Sequence, residues 1–561
     1  MLHASKLAAL VAVLSATGTF ADVVPELPAI PADLSTPVQT RLAFNGDTGM
    51  AVGWNTFKQL SNPKVYYGLS PNKLSLCASS HSSITYPTSR TWSNTIKITG
   101  LLPSTTYYYK IDSTNSTVSS FKTARVRGDQ TPFTAALVID MGVFGPDGLS
   151  SRTTSYTNLT VPYPLKPGEH TTIQRLVAMK DQYEFVLHPG DFAYADSWYQ
   201  EYKLGYINGS LADGAAMYQG LNEQFFDELS VVSSIKPYMV TAGNHEANCL
   251  NGGSGTMTEA SFCPIGQTNF TDFTNRFALM MPGSSSSSRL AKRLGLSGLD
   301  DDNAALGEVK RDEMRQALNP RTRRRAHSFA DTQIAARDAS RAARRTAAAA
   351  AAVPPFWYSF DYGMAHFLFI DTETDLGNGI VGPDEPNGGQ NDNDGPFGSY
   401  PNQQVDFIEK DLSSVDRELT PWVVVAGHRP WYAASALPCP TCQTAFEGLL
   451  VKHNVDLGVF GHIHNQQLIM PIKNNQTDPN GWNNPSAPAY VVNGAAGHLD
   501  GLESLYFGYP WLNLTYANDT MYGFSQLVFK DRQHLEIQFI NSGTGDVAFS
   551  QTLFKEHKIS L

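Results

Sequence analysis

Six short apolar runs, AALVI, EFVL, PYMVTA, HFLFI, WVVVA and DLGVF, each break off directly into Gly, Asp, Asn or His. Runs this short and nearly uniformly apolar suit strands covered on both faces, as in the middle of a layered α/β domain. In order, they lead into Asp140, Gly190-Asp191, Gly243-Asn244-His245-Glu246, Asp371, Gly427-His428 and Gly461-His462-Ile463-His464. Loops at the ends of such strands converge on one crevice, so polar atoms at five or six strand ends can share one site.

The donors fit metal chemistry. Asp140, Asp191, Tyr194, Asn244, His428, His462 and His464 offer seven ligands. That is enough for two adjacent cations if one carboxylate, naturally Asp191, bridges them. A lone histidine at a strand end is usually a hydrogen-bonded packing residue. That reading fails when carboxylates, Asn and His all terminate apolar strands together. Asp371-Thr372-Glu373 is read as a loop that hydrogen-bonds itself. Asn391-Asp392-Asn393-Asp394-Gly395 looks locally like a calcium loop, but its twelfth position is Pro401 rather than Glu, which makes it a solvated loop.

From Pro37 to Thr123 the pattern changes to short β-rich stretches and turns, as expected of a small antiparallel sandwich. Leu101-Leu102-Pro103 followed by Thr106-Tyr107-Tyr108-Tyr109 resembles a fibronectin type III corner, in which a tyrosine ties down a strand entry. No catalytic constellation appears there. Residues 283–353 interrupt the region of apolar runs with a serine tract, Arg323-Arg324-Arg325 and an alanine run, and read as a disordered or partly helical insert. The insert carries 14 Lys and Arg against 8 Asp and Glu, while the whole chain has a net charge of −11. An acidic protein of this kind has no general affinity for nucleic acid or anionic membrane, so an anionic substrate needs a local cationic site.

Met1 to Ala21 reads as a secretory leader, with Lys6, an apolar stretch from Leu7 to Leu14, and small residues at Thr19 and Ala21. Sequons at Asn115, Asn158, Asn208, Asn269, Asn475, Asn513 and Asn518 agree with secretion and glycosylation. The five cysteines suggest local bridges, Cys249 with Cys263 and Cys439 with Cys442, leaving Cys77 unpaired. The Cys439-Pro-Thr-Cys442 spacing also suits a redox dithiol or half a zinc site, but no second CxxC exists and a secreted setting favours a static disulfide.

Five blocks resemble the purple acid phosphatases, within the calcineurin-like metallophosphoesterases. They are Asp140-Met141-Gly142, Gly190-Asp191-Phe192-Ala193-Tyr194, Gly243-Asn244-His245-Glu246, Ala426-Gly427-His428 and Gly461-His462-Ile463-His464, in the family's order. Tyr194 is the most discriminating, because other metallophosphoesterases lack a tyrosine ligand there. The resemblance implies an α/β fold: a layered β-sandwich flanked by helices over residues 126–561, preceded by a fibronectin type III-like domain over 22–125. It implies Fe(III) held by Asp140, Tyr194 and His464, and a divalent Fe, Zn or Mn held by Asn244, His428 and His462, with Asp191 bridging. It allows a homodimer.

The activity implied is hydrolysis of small phosphate monoesters at acidic pH, with a metal-bound hydroxide as nucleophile and His245 protonating the leaving alkoxide. Phosphodiesterase or nucleotide pyrophosphatase activity on the same scaffold, and a non-catalytic metal-binding secreted protein, are the alternatives. Glu246 is expected to orient an imidazole from behind. Two departures from the family stand out. Ile139 takes the place where the family often has Gly, and no histidine follows the fourth block between Arg429 and Pro438. Arg429, Tyr432 and His498 are the candidates for substrate contact in their stead.

Overall fold

The computed structural model describes residues 27–143, 165–203, 210–247, 263–283, 351–384, 402–497 and 501–557. The leader, Asn158, Asn208, Cys249, His498, the calcium-like loop and nearly all of the basic insert lie outside those residues. Gly283 and Ala352 are in contact, so the insert leaves and rejoins the fold at one point.

The N-terminal part is a sandwich of two four-stranded antiparallel sheets. One is ordered Val38–Phe44, Met50–Thr56, Trp92–Ile98, Ser83–Ile84, and the other Leu76–Ser79, Lys64–Gly68, Thr106–Ile111, Ser119–Lys122. Alternation decides which side chains go inside: Tyr107, Tyr109 and Ile111 are buried while Thr106 faces water. The expected corner is present, with the Leu102 amide donating to the Tyr107 hydroxyl at 3.1 Å.

All six apolar runs become strands. In a six-stranded sheet, Phe133–Leu137, Phe185–Pro189 and Tyr238–Thr241 run parallel, and Gly523–Phe529, His534–Asn541 and Val547–Phe554 complete it antiparallel. In a seven-stranded sheet, Ala365–Phe369, Trp422–Ala426, Leu457–Phe460 and Ala489–Asn493 run parallel. Aromatic rings fill the space between the sheets: Phe185 meets Phe367 edge-on at 5.4 Å, and Phe529 meets Phe367 at 5.8 Å and Trp422 at 6.4 Å. Phe44 of the sandwich packs on Phe185 and Tyr362, which ties the N-terminal part to this core.

Cys439 and Cys442 form a disulfide, and Cys77 is free and exposed. Cys263 is disulfide-bonded. Among the described residues, no helix is long and apolar enough to cross a membrane. Of the described sequons, Asn115, Asn269, Asn475 and Asn513 are exposed and Asn518 is half-buried.

Candidate metal centre

Parallel strands end on the same side, and here two sheets end at one place. The first sheet delivers Asp140, Asp191, Tyr194 and Asn244, and the second delivers His428, His462 and His464. Four of these seven adopt left-handed backbone: Asp140 (φ 60°), Asp191 (φ 55°), Tyr194 (φ 51°) and His462 (φ 65°). Such a conformation costs about 1–3 kcal/mol at a non-glycine residue and gathers where function fixes the side chain. It turns each chain sharply off its strand, so that the side chain points across the sheet ends. Ile139, where glycine was the family's habit, needs no such freedom. The conformational demand falls on Asp140 itself, and the Ile139 side chain is buried against Gly461, where any Cβ would collide with it and with the Asp140 carboxylate.

The donors form two groups sharing one atom. The Tyr194 hydroxyl donates to Asp140 Oδ1 at 2.8 Å, and lies 3.1 Å from His464 Nε2 and 3.2 Å from Asp191 Oδ2. On the other side, His428 Nε2 lies 3.1 Å from Asp191 Oδ2 and 3.0 Å from Asn244 Oδ1. His462 joins Asp191 and His428 in a cluster whose donor atoms all lie within 4.8 Å of one another, an arrangement able to hold a metal ion. Asp191 Oδ2 therefore stands between the two groups. Its other oxygen, Oδ1, accepts from the His245 amide at 2.9 Å.

Two buried carboxylates side by side need positive charge. Burial pushes Asp140 up to about 8, with Asp191 adding to the shift. Burial also opposes ionisation of Asp191, yet His428 and His245 hold its carboxyl well below the usual range. Burial alone would lower His428, but Asp191 raises it to about 9. Burial pushes the Tyr194 hydroxyl well above 10, and Asp140 and Asp191 push it further. Burial drives His464 down to about 3, which leaves its lone pairs free of protons. His428 Nδ1 faces the Pro189 carbonyl at 3.1 Å, which directs its Nε2 lone pair inward. Hard oxygens, imidazoles and a phenol that only a strong Lewis acid would deprotonate are a donor set suited to two cations.

His245 stands beside this cluster. Its Nδ1 meets Asp196 Oδ2 at 2.7 Å, its Nε2 lies 3.9 Å from Asp191 Oδ2, and its ring packs on Tyr194 with centroids 4.2 Å apart. Burial would lower its pKa, but Asp196 and then Asp191 raise it to about 10. Asp196 went unnoticed in the sequence, although a carboxylate two residues past Tyr194 in the same turn was the available signal.

Two expectations are corrected. Glu246 backs no imidazole: its carboxylate accepts the amides of Asp191, Phe192 and Gly243, each at 2.9 Å, and so clamps two metal-site turns together. Tyr432 is buried and bonded to Glu447, not free for substrate. Arg429, a candidate for substrate contact, is held by buried Glu373 at 2.7 Å and has its Nη1 3.0 Å from His462 Nε2, so it also positions His462. Glu373, read from the sequence only as part of a self-bonding loop, is thus a second residue that supports this site. Asp371 takes the loop role expected of it, accepting from the Glu373 amide and the Thr374 hydroxyl.

Comparison with known proteins agrees with this geometry. Residues 37–123 match the purple acid phosphatase N-terminal domain, 367–466 the calcineurin-like phosphoesterase domain, and 487–550 the iron/zinc purple acid phosphatase-like C-terminal domain. Acid phosphatase A of Cryphonectria parasitica is 44% identical over 95% of this chain and 94% of its own length. An acid phosphatase of Aspergillus ficuum is 28% identical over 83% of this chain and 76% of its own. The solved structure of purple acid phosphatase PPD1 from yellow lupin (Lupinus luteus) seeds shares the fold, with TM-score 0.59 and 20% identity over 93% of this chain and 75% of that one. On its sequence blocks, its three matched domains and its full-length relative, the chain belongs to the purple acid phosphatases and is an acid phosphatase of the calcineurin-like metallophosphoesterase class.

Proposed function

We propose that the protein is a secreted acid phosphatase that hydrolyses phosphate monoesters at a binuclear centre. Asp140, Tyr194 and His464 would hold Fe(III), Asn244, His428 and His462 would hold a divalent Fe, Zn or Mn, and Asp191 would be shared between them. The observation that carries this reading is the position of Asp191 Oδ2, 3.2 Å from the Tyr194 hydroxyl on one side and 3.1 Å from His428 Nε2 on the other. The two cations, when bound, supply the Lewis acidity that gathers ester oxygens and acidifies water. The protein's own residues do the rest. Glu246 locks the Asp191 and Gly243 turns in register, Glu373 and Arg429 steady His462, and His245 in its protonated form gives a proton to the departing alkoxide. Secretion rests on the leader-like N-terminus and on sequons that reach the surface.

The test is the visible absorption of purified protein whose metal content has been measured. A tyrosinate-to-iron band that disappears in Tyr194→Phe, together with turnover of monoesters well above that of bis-esters, is the expected result. A colourless, metal-loaded and active protein overturns the ferric assignment, and preferential bis-ester turnover overturns the monoesterase reading.

A further inference from the structure

The stretch from Gly501 to Asn513 forms no helix or strand, yet it is tied down beside the metal centre. The Glu503 amide donates to the carbonyl of His464 at 2.9 Å, and the Tyr506 amide to the carbonyl of Ala434 at 3.0 Å. The first anchor is a residue of the donor cluster. The second lies on the loop that follows His428, the loop without histidines. The strap thus joins both sides of the site. Three residues of extended chain span at most about 11 Å, so Tyr506 follows closely on the Glu503 anchor beside His464.

The strap turns apolar groups to water where the rest of the site is polar. Phe507 is 72% exposed, Tyr506 53%, and Leu437 on the facing loop 60%. Behind them the strap is secured by rings, Tyr509 on Trp511 at 5.2 Å and Trp511 on Tyr432 at 5.7 Å. Gly508 lets the backbone lie directly on the Tyr506 ring, since any Cβ there would collide with it. One face of that ring is thereby held while the residue stays half open to solvent. Large exposed apolar side chains grouped on a loop at a site signify a ligand surface. Glu503, its carboxylate 3.8 Å from His464 Nδ1, sets a negative charge beside the strap and disfavours a second anionic group there.

We propose that Tyr506, Phe507 and Leu437 form the subsite for the leaving group, and that the preferred monoester carries an aromatic ring on its alcohol. This rests on the phosphomonoesterase reading above. The ring stacks on Tyr506 and Phe507 while the phosphate is held at the centre. Among the described residues, an apolar contact stands where the missing histidines would be.

The test compares 2-phenylethyl phosphate with ethyl phosphate, whose alkoxide leaving groups are similarly basic, so that the ring is the principal difference. Wild-type protein should favour the phenylethyl ester by about tenfold in kcat/KM, the scale of one aromatic stacking contact. In the Tyr506→Ala/Phe507→Ala double variant that ratio should fall to about twofold or less. Leu69→Ala, at a similarly exposed position in the N-terminal sandwich, should leave the ratio alone. A wild-type ratio near one overturns the subsite, as does a ratio the double variant leaves intact. A double variant that changes subunit association while the ratio stands assigns the patch to an interface between copies and overturns it too. Wild-type protein that carries its metals and hydrolyses neither ester overturns the phosphomonoesterase reading, and the subsite with it.

Discussion

Replacing Asp196 by Asn keeps the shape and the hydrogen-bond acceptor beside His245 Nδ1 but removes the charge 2.7 Å away. Both side chains are almost wholly buried, so the interaction is poorly screened. A charge-assisted hydrogen bond of this kind contributes about 1.5–3 kcal/mol, or about 1–2 pKa units at 1.36 kcal/mol each. Burial works to lower the His245 pKa and the carboxylates to raise it, to about 10, so the imidazolium survives as pH climbs and is lost only when pH passes that raised value. Removing one carboxylate charge brings the loss to lower pH. The alkaline limb of kcat should therefore move down by about 1–2 pH units, while the acidic plateau, where His245 is protonated in both proteins, falls by no more than about threefold. Bound cations lower both limbs together, so the difference between proteins of equal metal content is the readout. The assay is kcat against pH on ethyl phosphate, whose basic leaving group needs the proton. An aryl ester with a stable phenolate should show a much weaker effect. A uniform drop in kcat with the alkaline limb unmoved would refute either His245 as the acid or Asp196 as its charge partner.

Two further outcomes follow from the same contacts. Glu246→Gln puts an amide donor among three converging backbone N–H groups, so metal affinity should fall about 10–100-fold, as judged by metal retained after titration with a chelator; unchanged retention would remove Glu246 from the site's support. His366, far from the metals, is held by Asp361 at 2.7 Å and Asp411 at 2.9 Å; burial opposes its charge, yet the two carboxylates raise it from 6.5 to about 9. That shift is worth about 3 kcal/mol, present in full below pH about 6.5 and lost as pH rises through about 9. Thermal midpoints of wild type and His366→Gln should accordingly differ clearly near pH 6 and converge near pH 9.5, and parallel curves would refute the assignment.

The strand ends were legible because the turns and the chemistry ask for the same residues. A chain leaving a buried strand in left-handed backbone is most tolerant of Gly, Asn and Asp, and those are also hard-metal donors or their close neighbours. Asp140 and Asp191 therefore announce themselves twice. Glu246 misled because adjacency to a ligand does not say where a side chain points. It lies on a short helix, Asn244–Ala247, that turns it back to the amides of its own and the preceding loop. The partnerships of Asp196 and Glu373 were illegible for the opposite reason: although Asp196 stands in the Tyr194 turn and Glu373 at a strand end, each acts on a residue about fifty positions away, and no period or motif encodes such a pairing. The strap residues Tyr506 and Phe507 left only a faint trace, aromatic residues between glycines in a stretch with no periodicity.

The same carboxylates that attract the cations make proton competition part of the centre's design. Without cations, Asp140 keeps a proton up to about pH 8, raised chiefly by burial, and His428 keeps one to about pH 9 on account of Asp191. Tyr194 keeps its proton higher still. A cation entering below those values must displace protons, so its apparent affinity falls as the medium becomes more acidic. The cost is greatest on the Asp140–Tyr194–His464 side, where a phenol and a raised carboxyl must both give up their protons. On the Asn244–His428–His462 side only His428 must give one up, since the amide has no proton to lose and burial already favours neutral His462. A centre built to work in acid therefore needs its higher-charged ion where the proton cost is greatest. In the centre proposed above, this asymmetry in the chain's own residues favours the higher-charged ion on the tyrosine side.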